Sequence, residues 1–169
     1  RLLHTSTYFT LGSFKMKIEM IKENKKDYLD LLLLADEQES MIDKYLEKGI
    51  MFAIYDDSLK GICVVTKEDE RTYELKNIAI YKEFHGQGYG KKLVEYIFEY
   101  FKNDCDTMYV GTGDSPLTIP FYLKCGFIES HRIKNFFIDN YDNPIYECKK
   151  QLIDMVYLKK NFKYRYIKG

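Results

Sequence analysis

The chain has 169 residues, with 26 basic and 26 acidic side chains and a formal charge of zero. That balance gives no support to a general nucleic-acid or anionic-membrane binder, and no apolar run approaches the roughly 20 residues that span a bilayer. The length is that of one domain, large enough to bury a core without disulfides or metals.

Arg1 rather than Met begins the chain, and Thr5, Ser6, Thr7 and Thr10 make a polar tract without a clear period. Met16 reads as a native start, with residues 1–15 as a foreign or read-through leader; the alternative is a native, flexible extension. Over residues 17–22, Ile18 and Met20 alternate with Glu19 and Lys22, which predicts a short first strand. Asp27 is placed to cap a helix. Leu29, Leu32 and Leu33, then Met41, Ile42, Tyr45 and Leu46, recur at helical spacing until Gly49, as one bent helix or two short ones. The acids Asp36, Glu37 and Glu39 on this segment either rim an acceptor site or form a solvated face. Residues 50–55 and 61–66, joined by Asp56, Asp57 and Ser58, read as a hairpin.

A fourth strand is predicted over 72–80 and a helix over 91–102, whose Leu93, Val94, Ile97, Phe98 and Phe101 form one apolar stripe. Between them lies His85-Gly86-Gln87-Gly88-Tyr89-Gly90. Glycines at alternate positions let a backbone approach a ligand closely, and the helix that follows offers unpaired N–H groups and a positive dipole end. The stretch therefore reads as a phosphate cradle. It is not a dinucleotide fingerprint, since Lys91 stands where the third glycine is needed, and His85 and Lys92 break the Walker spacing. Residues 107–111 form a fifth strand, Asp114-Ser115-Pro116 starts a helix that stops at Gly126, and 127–133, 136–139 and 145–158 supply closing strands. The four cysteines, Cys63, Cys105, Cys125 and Cys148, lie too far apart for a CxxC knuckle, so no metal is expected, and they read as reduced thiols of a cytoplasmic protein.

The glycine loop resembles the Gln/Arg-x-x-Gly-x-Gly/Ala signature of the GNAT N-acetyltransferases, with His85 where Gln or Arg is usual. The element order is similar too, over about residues 16–162, with 163–169 as a tail. Phe121-Tyr122-Leu123-Lys124-Cys125-Gly126-Phe127 looks like the family's Tyr-x-x-x-Gly-Phe stretch. The closing segment, with Asn135-Phe136-Phe137, Tyr141, Pro144-Ile145, Glu147 and Asp154-Met155-Val156, is similar to a group of small bacterial members. Those often carry Asp before the paired Phe and Asn-Gly after the Glu, where this chain has Asn135 and Cys148-Lys149.

The resemblance implies an α/β (α+β mixed-sheet) fold, with a mostly antiparallel central sheet flanked by helices on both faces. It implies acetyl-CoA as co-substrate, its diphosphate on the turn from His85 to Gly90 with Lys91 assisting. The pantetheine arm would lie along Ile78, Ala79 and Ile80 as an extra strand. Tyr122 takes the position of the tyrosine that protonates the departing thiolate, and Glu74 that of a strand carboxylate that deprotonates the acceptor, unless a water chain serves. Asp114 either orients the pantetheine or caps the next helix. His131 reads as a surface residue and Cys125 as an inert buried thiol. The expected activity is acetyl transfer to a primary amine, of a small molecule ahead of a protein lysine or N-terminus; a CoA-binding sensor without turnover is the reading from another class. The aromatic tail from Tyr157 to Tyr166 is a candidate homodimer contact.

Overall fold

The computed structural model describes residues 7–11 and 14–162. Its elements are β1 (Thr7–Leu11), β2 (Phe14–Ile21), α1 (Leu29–Ala35), α2 (Glu39–Asp43), β3 (Ile50–Asp56), β4 (Ser58–Asp69), β5 (Thr72–Ile80) and α3 (Tyr89–Phe101), followed by β6 (Thr107–Gly113), α4 (Ile119–Lys124), β7 (Ile128–Ile133), α5 (Phe136–Asn140), β8 (Tyr146–Glu147), β9 (Lys150–Gln151) and β10 (Met155–Asn161). The chain forms two compact units, Arg1–Thr66 with Lys76–Ile97, and Lys67–Leu75 with Phe98–Gly169. β5 and α3 contribute to both.

In the first unit β1, β2, β3 and β4 are successive antiparallel neighbours, and the later half of β5 follows β4. Thr7–Leu11, in the stretch expected to lie outside the fold, pairs with Phe14–Ile18. The β3–β4 hairpin turns at Asp57, which takes a left-handed φ of 62 as such two-strand turns require. Leu31, Leu32, Ile42, Leu46, Met51, Ala53, Ile62, Val64 and Ala79 share one buried cluster. Removing that apolar area from water is what holds two very short helices, of 7 and 5 residues, that could not persist alone.

Asp27 does not cap. It lies within a 3-10 turn over Lys25–Tyr28, and the residue ahead of α1 is Tyr28, without a side-chain cap. Another residue of that turn, Lys25, holds the turn that follows α2. Its ammonium donates to the carbonyls of Leu46, Glu47 and Gly49 at 3.0, 3.1 and 2.6 Å, matching three donors to three main-chain acceptors.

The second unit is built on the order β5, β6, β10, β7. β5 and β6 run parallel, whereas β6–β10 and β10–β7 are antiparallel, so the sheet is mixed and mostly antiparallel, as expected. Phe127, Met108, Val110, Leu158 and Leu75 are fully or almost fully buried. A separate cluster of Phe137, Ile145 and Leu152 lies under the β8–β9 hairpin.

Residues 136–139, expected as a strand, are helical, and the single long strand expected over 145–158 is divided. The first departure reflects side-chain function: Asn135 has φ 58 and its N–H is held by Asp154 Oδ1, turning the chain so that Phe137 enters the cluster. The second reflects the β8–β9 turn, where Cys148 and Lys149 have φ values of 50 and 62. Left-handed backbone costs a residue with a Cβ roughly 1–2 kcal/mol. Replacing the pair by Cys148→Asn with Lys149→Gly is expected to raise the thermal midpoint by about 2–4 °C, the shift for about 1 kcal/mol in a domain of this size, read by calorimetry.

Candidate active site

Gly86 and Gly88 carry φ values of +76 and +86, and a Cβ built on either meets nothing within 4 Å. Both residues therefore need glycine for backbone reasons, and the turn they make is open above. It leads into α3, a 13-residue helix in which the Lys92 N–H reaches back to the Gly88 carbonyl at 3.1 Å. The N–H groups ahead of Lys92 belong to the first turn, which has no intrahelical partners. Such a turn binds anions through backbone donors and the helix dipole.

Two side chains brace it. His85 is exposed, and its Nε2 lies 2.8 Å from the Ile80 carbonyl, tying the turn to the end of β5. The Tyr89 hydroxyl donates to Asp56 Oδ2 at 2.8 Å, and its ring is 7% exposed. Burial first, then Asp56, raises the Tyr89 pKa above the ordinary phenol range. Phe84 meets the Tyr89 ring edge-on at 6.4 Å, and Lys60 Nζ stands 3.6 Å from the Phe84 centroid, a cation–π contact. Tyr89 is thus an anchor as well as packing. Gln87 and Lys91 are exposed, and Gly90 lies inside α3.

On β5, Ala79 is buried whereas Ile78 and Ile80 are half-buried. The ladder from β5 to β6 covers Thr72–Leu75 only, so residues 76–80 lie outside it. Asn77 is 3% exposed and donates to the Leu32 carbonyl at 2.9 Å and to the Tyr45 hydroxyl at 3.0 Å. Tyr45 in turn donates to Asp36 at 3.3 Å. Glu39 pairs with Lys26 at 2.7 Å, on an exposed face.

In the second unit Glu74 is buried, and the Tyr157 hydroxyl hydrogen-bonds to it. Gly111 makes that contact sterically possible: a Cβ there would stand 3.1 Å from the Tyr157 ring. His131 stacks flat on the other side of this system, 4.8 Å from the Tyr157 ring and 5° from parallel. His131 is therefore an aromatic support whose Nδ1 meets Ser130 Oγ at 2.9 Å.

Tyr122 is 8% exposed and packed edge-on against Phe127 at 5.8 Å. Burial, followed by the charges of Cys125 and Glu147, pushes its pKa well above the ordinary value. This phenol keeps its proton. Asp114 is not a cap: α4 begins five residues later, behind Thr118, and Asp114 instead pairs with Arg132 at 3.0 Å and Lys150 at 3.8 Å. The Arg132 guanidinium holds its carboxyl below the usual range. Cys125 is half-buried. Among the described residues no group of three or more His, Cys, Asp or Glu side chains is placed to hold a metal ion, and no helix is long and apolar enough to cross a membrane.

Residues 18–127 match the sequence profile of the Acetyltransferase (GNAT) family. The chain belongs to this family. It is 37% identical over 147 residues to the uncharacterised N-acetyltransferase YvbK of Bacillus subtilis, covering 85% of this chain and 95% of that protein. The structure of a GNAT acetyltransferase from Elizabethkingia anophelis with acetyl-CoA bound has 34% identity and a TM-score of 0.82, covering 86% of this chain and 97% of that one. A Bacillus subtilis acetyltransferase in complex with CoA has 37% identity and a TM-score of 0.79, covering 87% and 99%.

In this GNAT acetyltransferase, sequence reasoning missed Asp56, Tyr157 and Gly111. Gly111 carried a usable signal, since glycine inside a strand marks a close approach by another group. Asp56 and Tyr157 carried none, because each matters through a partner more than 30 residues away. Tyr89→Phe removes the donor to Asp56 Oδ2, while the other oxygen is already buried without a partner. The expected cost is about 1–3 kcal/mol, seen as a lower urea midpoint at unchanged slope.

Proposed function

We propose that the protein transfers the acetyl group of acetyl-CoA to the primary amine of a small molecule, by direct attack in a ternary complex. The observation that carries this reading is the open turn at Gly86 and Gly88, left-handed at both, at the head of α3. A Cβ at either glycine would fill the space that a diphosphate needs. Backbone amides from Gln87 to Gly90 would hold the phosphates, with Lys91 adding positive charge; because the donors are main-chain, the His85 departure leaves them intact. The free edge of β5 at Ile78, Ala79 and Ile80 would receive the pantetheine arm as an added strand. Asp114, already engaged with two cations, would orient that arm only through its backbone.

Acetyl-CoA supplies an activated thioester carbonyl. The chain supplies position and proton handling. A strand amide near Ala79 or Ile80 donates to the carbonyl oxygen as negative charge develops there. Glu74 takes a proton from the acceptor ammonium, whose nitrogen then offers its lone pair to the carbonyl carbon; as the new nitrogen–carbon bond forms, that nitrogen sheds its second proton to solvent. Tyr122 gives its proton to sulfur as the carbon–sulfur bond breaks, and is reprotonated from solvent. Burial raises its pKa, which keeps the proton on the phenol before the reaction but makes it a weak acid, so the transfer depends on the charge that develops on sulfur as the bond breaks.

The small acceptor is favoured because no peptide-binding insertion separates the motifs. A cytoplasmic setting agrees with the four free cysteines, of which Cys63 is buried and pushed up to about 12 by that burial. A homodimer through the aromatic tail draws less support: Tyr157 is engaged with Glu74, and residues 163–169 lie outside the described residues.

Thermal unfolding with CoA, acetyl-CoA, NAD and ATP tests the reading. The two CoA species, at about 100 times their dissociation constant, are expected to raise the midpoint by about 5–10 °C. Gly88→Val should abolish the shift. Tyr122→Phe should keep it while lowering the rate of thiol release by on the order of 10²-fold. No shift with CoA, or an equal shift with ATP, overturns the assignment, and an unchanged rate in Tyr122→Phe removes Tyr122 from the chemistry.

A further inference from the structure

β7 is the last strand of the sheet in the second unit: β10 flanks it on one side and, among the described residues, no strand flanks it on the other. All six of its residues are exposed, with Ile128 at 53% and Ile133 at 42%. An edge of this kind presents a row of backbone N–H and C=O groups that another chain can pair with. Charges and a bulge ordinarily guard such an edge. β7 has both, and both are arranged so that a second copy satisfies them.

The register with β10 shows the arrangement. Glu129 lies opposite Leu158 and His131 opposite Tyr157, so Ser130 is an extra residue, a bulge. The ladder positions are therefore Ile128, Glu129, His131, Arg132 and Ile133. Opposed residues share a face of the sheet, which puts Glu129 and Arg132 on the face of Leu158 and Val156, and Ile128, His131 and Ile133 on the face of Lys159, Tyr157 and Met155. Without the bulge, Glu129 and Arg132 would fall on opposite faces. With it, the strand is symmetric about His131: an isoleucine at each end, and between each end and the centre one charge, acidic on one side and basic on the other. A two-fold axis through that centre sets Glu129 against Arg132 of a second copy, and Ile128 against its Ile133, each pair twice and on one face.

We propose that β7 is a homotypic docking edge, at which a second copy of this chain adds its own β7 antiparallel and joins the two sheets. The strand carries both halves of the complementary pattern, as an isologous contact requires. A parallel, in-register addition would instead set Glu129 against Glu129. Arg132 Nη1 is 3.0 Å from Asp114 Oδ2 within the chain, and the guanidinium has further N–H donors for a second carboxylate. The edge is separate from the aromatic tail, and a strand of six residues makes a small interface at the weak end of association.

Sedimentation velocity from about 1 to 500 μM, a range set by the affinity of small interfaces, tests the proposal. Wild type is expected to move from monomer toward dimer as concentration rises. Glu129→Arg and Arg132→Glu, each alone, oppose like charges across the axis and should weaken association by about tenfold or more. Mixed in equal amounts, the two variants should recover it, because one supplies both bases and the other both acids. A wild type that stays monomeric throughout, a Glu129→Arg dimer as tight as wild type, or a mixture no tighter than its components overturns the proposal. Should Arg132→Glu lose its fold together with the Asp114 pair, as read by thermal unfolding, Glu129→Arg against wild type decides alone.

Discussion

One hydrogen bond, from the Tyr89 phenol to Asp56, fixes where the glycine turn stands. A turn made of left-handed glycines has little stiffness of its own, because glycine loses more conformational freedom on ordering than any other residue. Tyr89 supplies the missing rigidity from the first turn of α3, by reaching the β3–β4 hairpin. His85 does the same from the other end, at the Ile80 carbonyl. The open space over Gly86 and Gly88 is therefore bounded by two side-chain ties, neither of which uses the backbone amides themselves. The donors remain available because the anchoring is done by side chains.

Two acidic residues of the second unit, Glu74 and Glu147, illustrate opposite treatments of one chemical group. Glu74 is buried and receives the Tyr157 hydroxyl, with Gly111 surrendering its side chain so that the phenol can cross. His131 lies flat against the same ring and limits its movement. Glu147 has a buried oxygen with no such provision. A carboxylate held by a neighbour is positioned, whereas the Glu147 oxygen is enclosed without compensation.

Much of this was legible in the sequence wherever local pattern and tertiary demand agree. Runs of β-branched and apolar residues on either side of Asp57 gave the hairpin, the apolar stripe gave α3, and Thr72–Ile80 was delimited to the residue. The glycine turn was legible because positive φ and close approach leave glycine few substitutes. Where the pattern failed, a distant partner had taken over a local task. Lys25 holds the turn after α2 from 21 to 24 residues away, Asp114 pairs with Arg132 rather than with the helix start, and Asp154 holds the Asn135 N–H ahead of Phe136–Asn140. None of these partners can be inferred from spacing. The unmet oxygen of Glu147 was invisible for the same reason, as burial of a single atom is a property of packing.

The lysine that holds the turn after α2 has a chemical consequence for a protein that handles acetyl groups. Any exposed lysine amine near an activated thioester is itself a candidate acceptor, once it sheds a proton. Lys25 would have to abandon three carbonyls before its nitrogen could react. The same clasp occupies the Lys25 nitrogen, so a fold support also keeps one amine engaged.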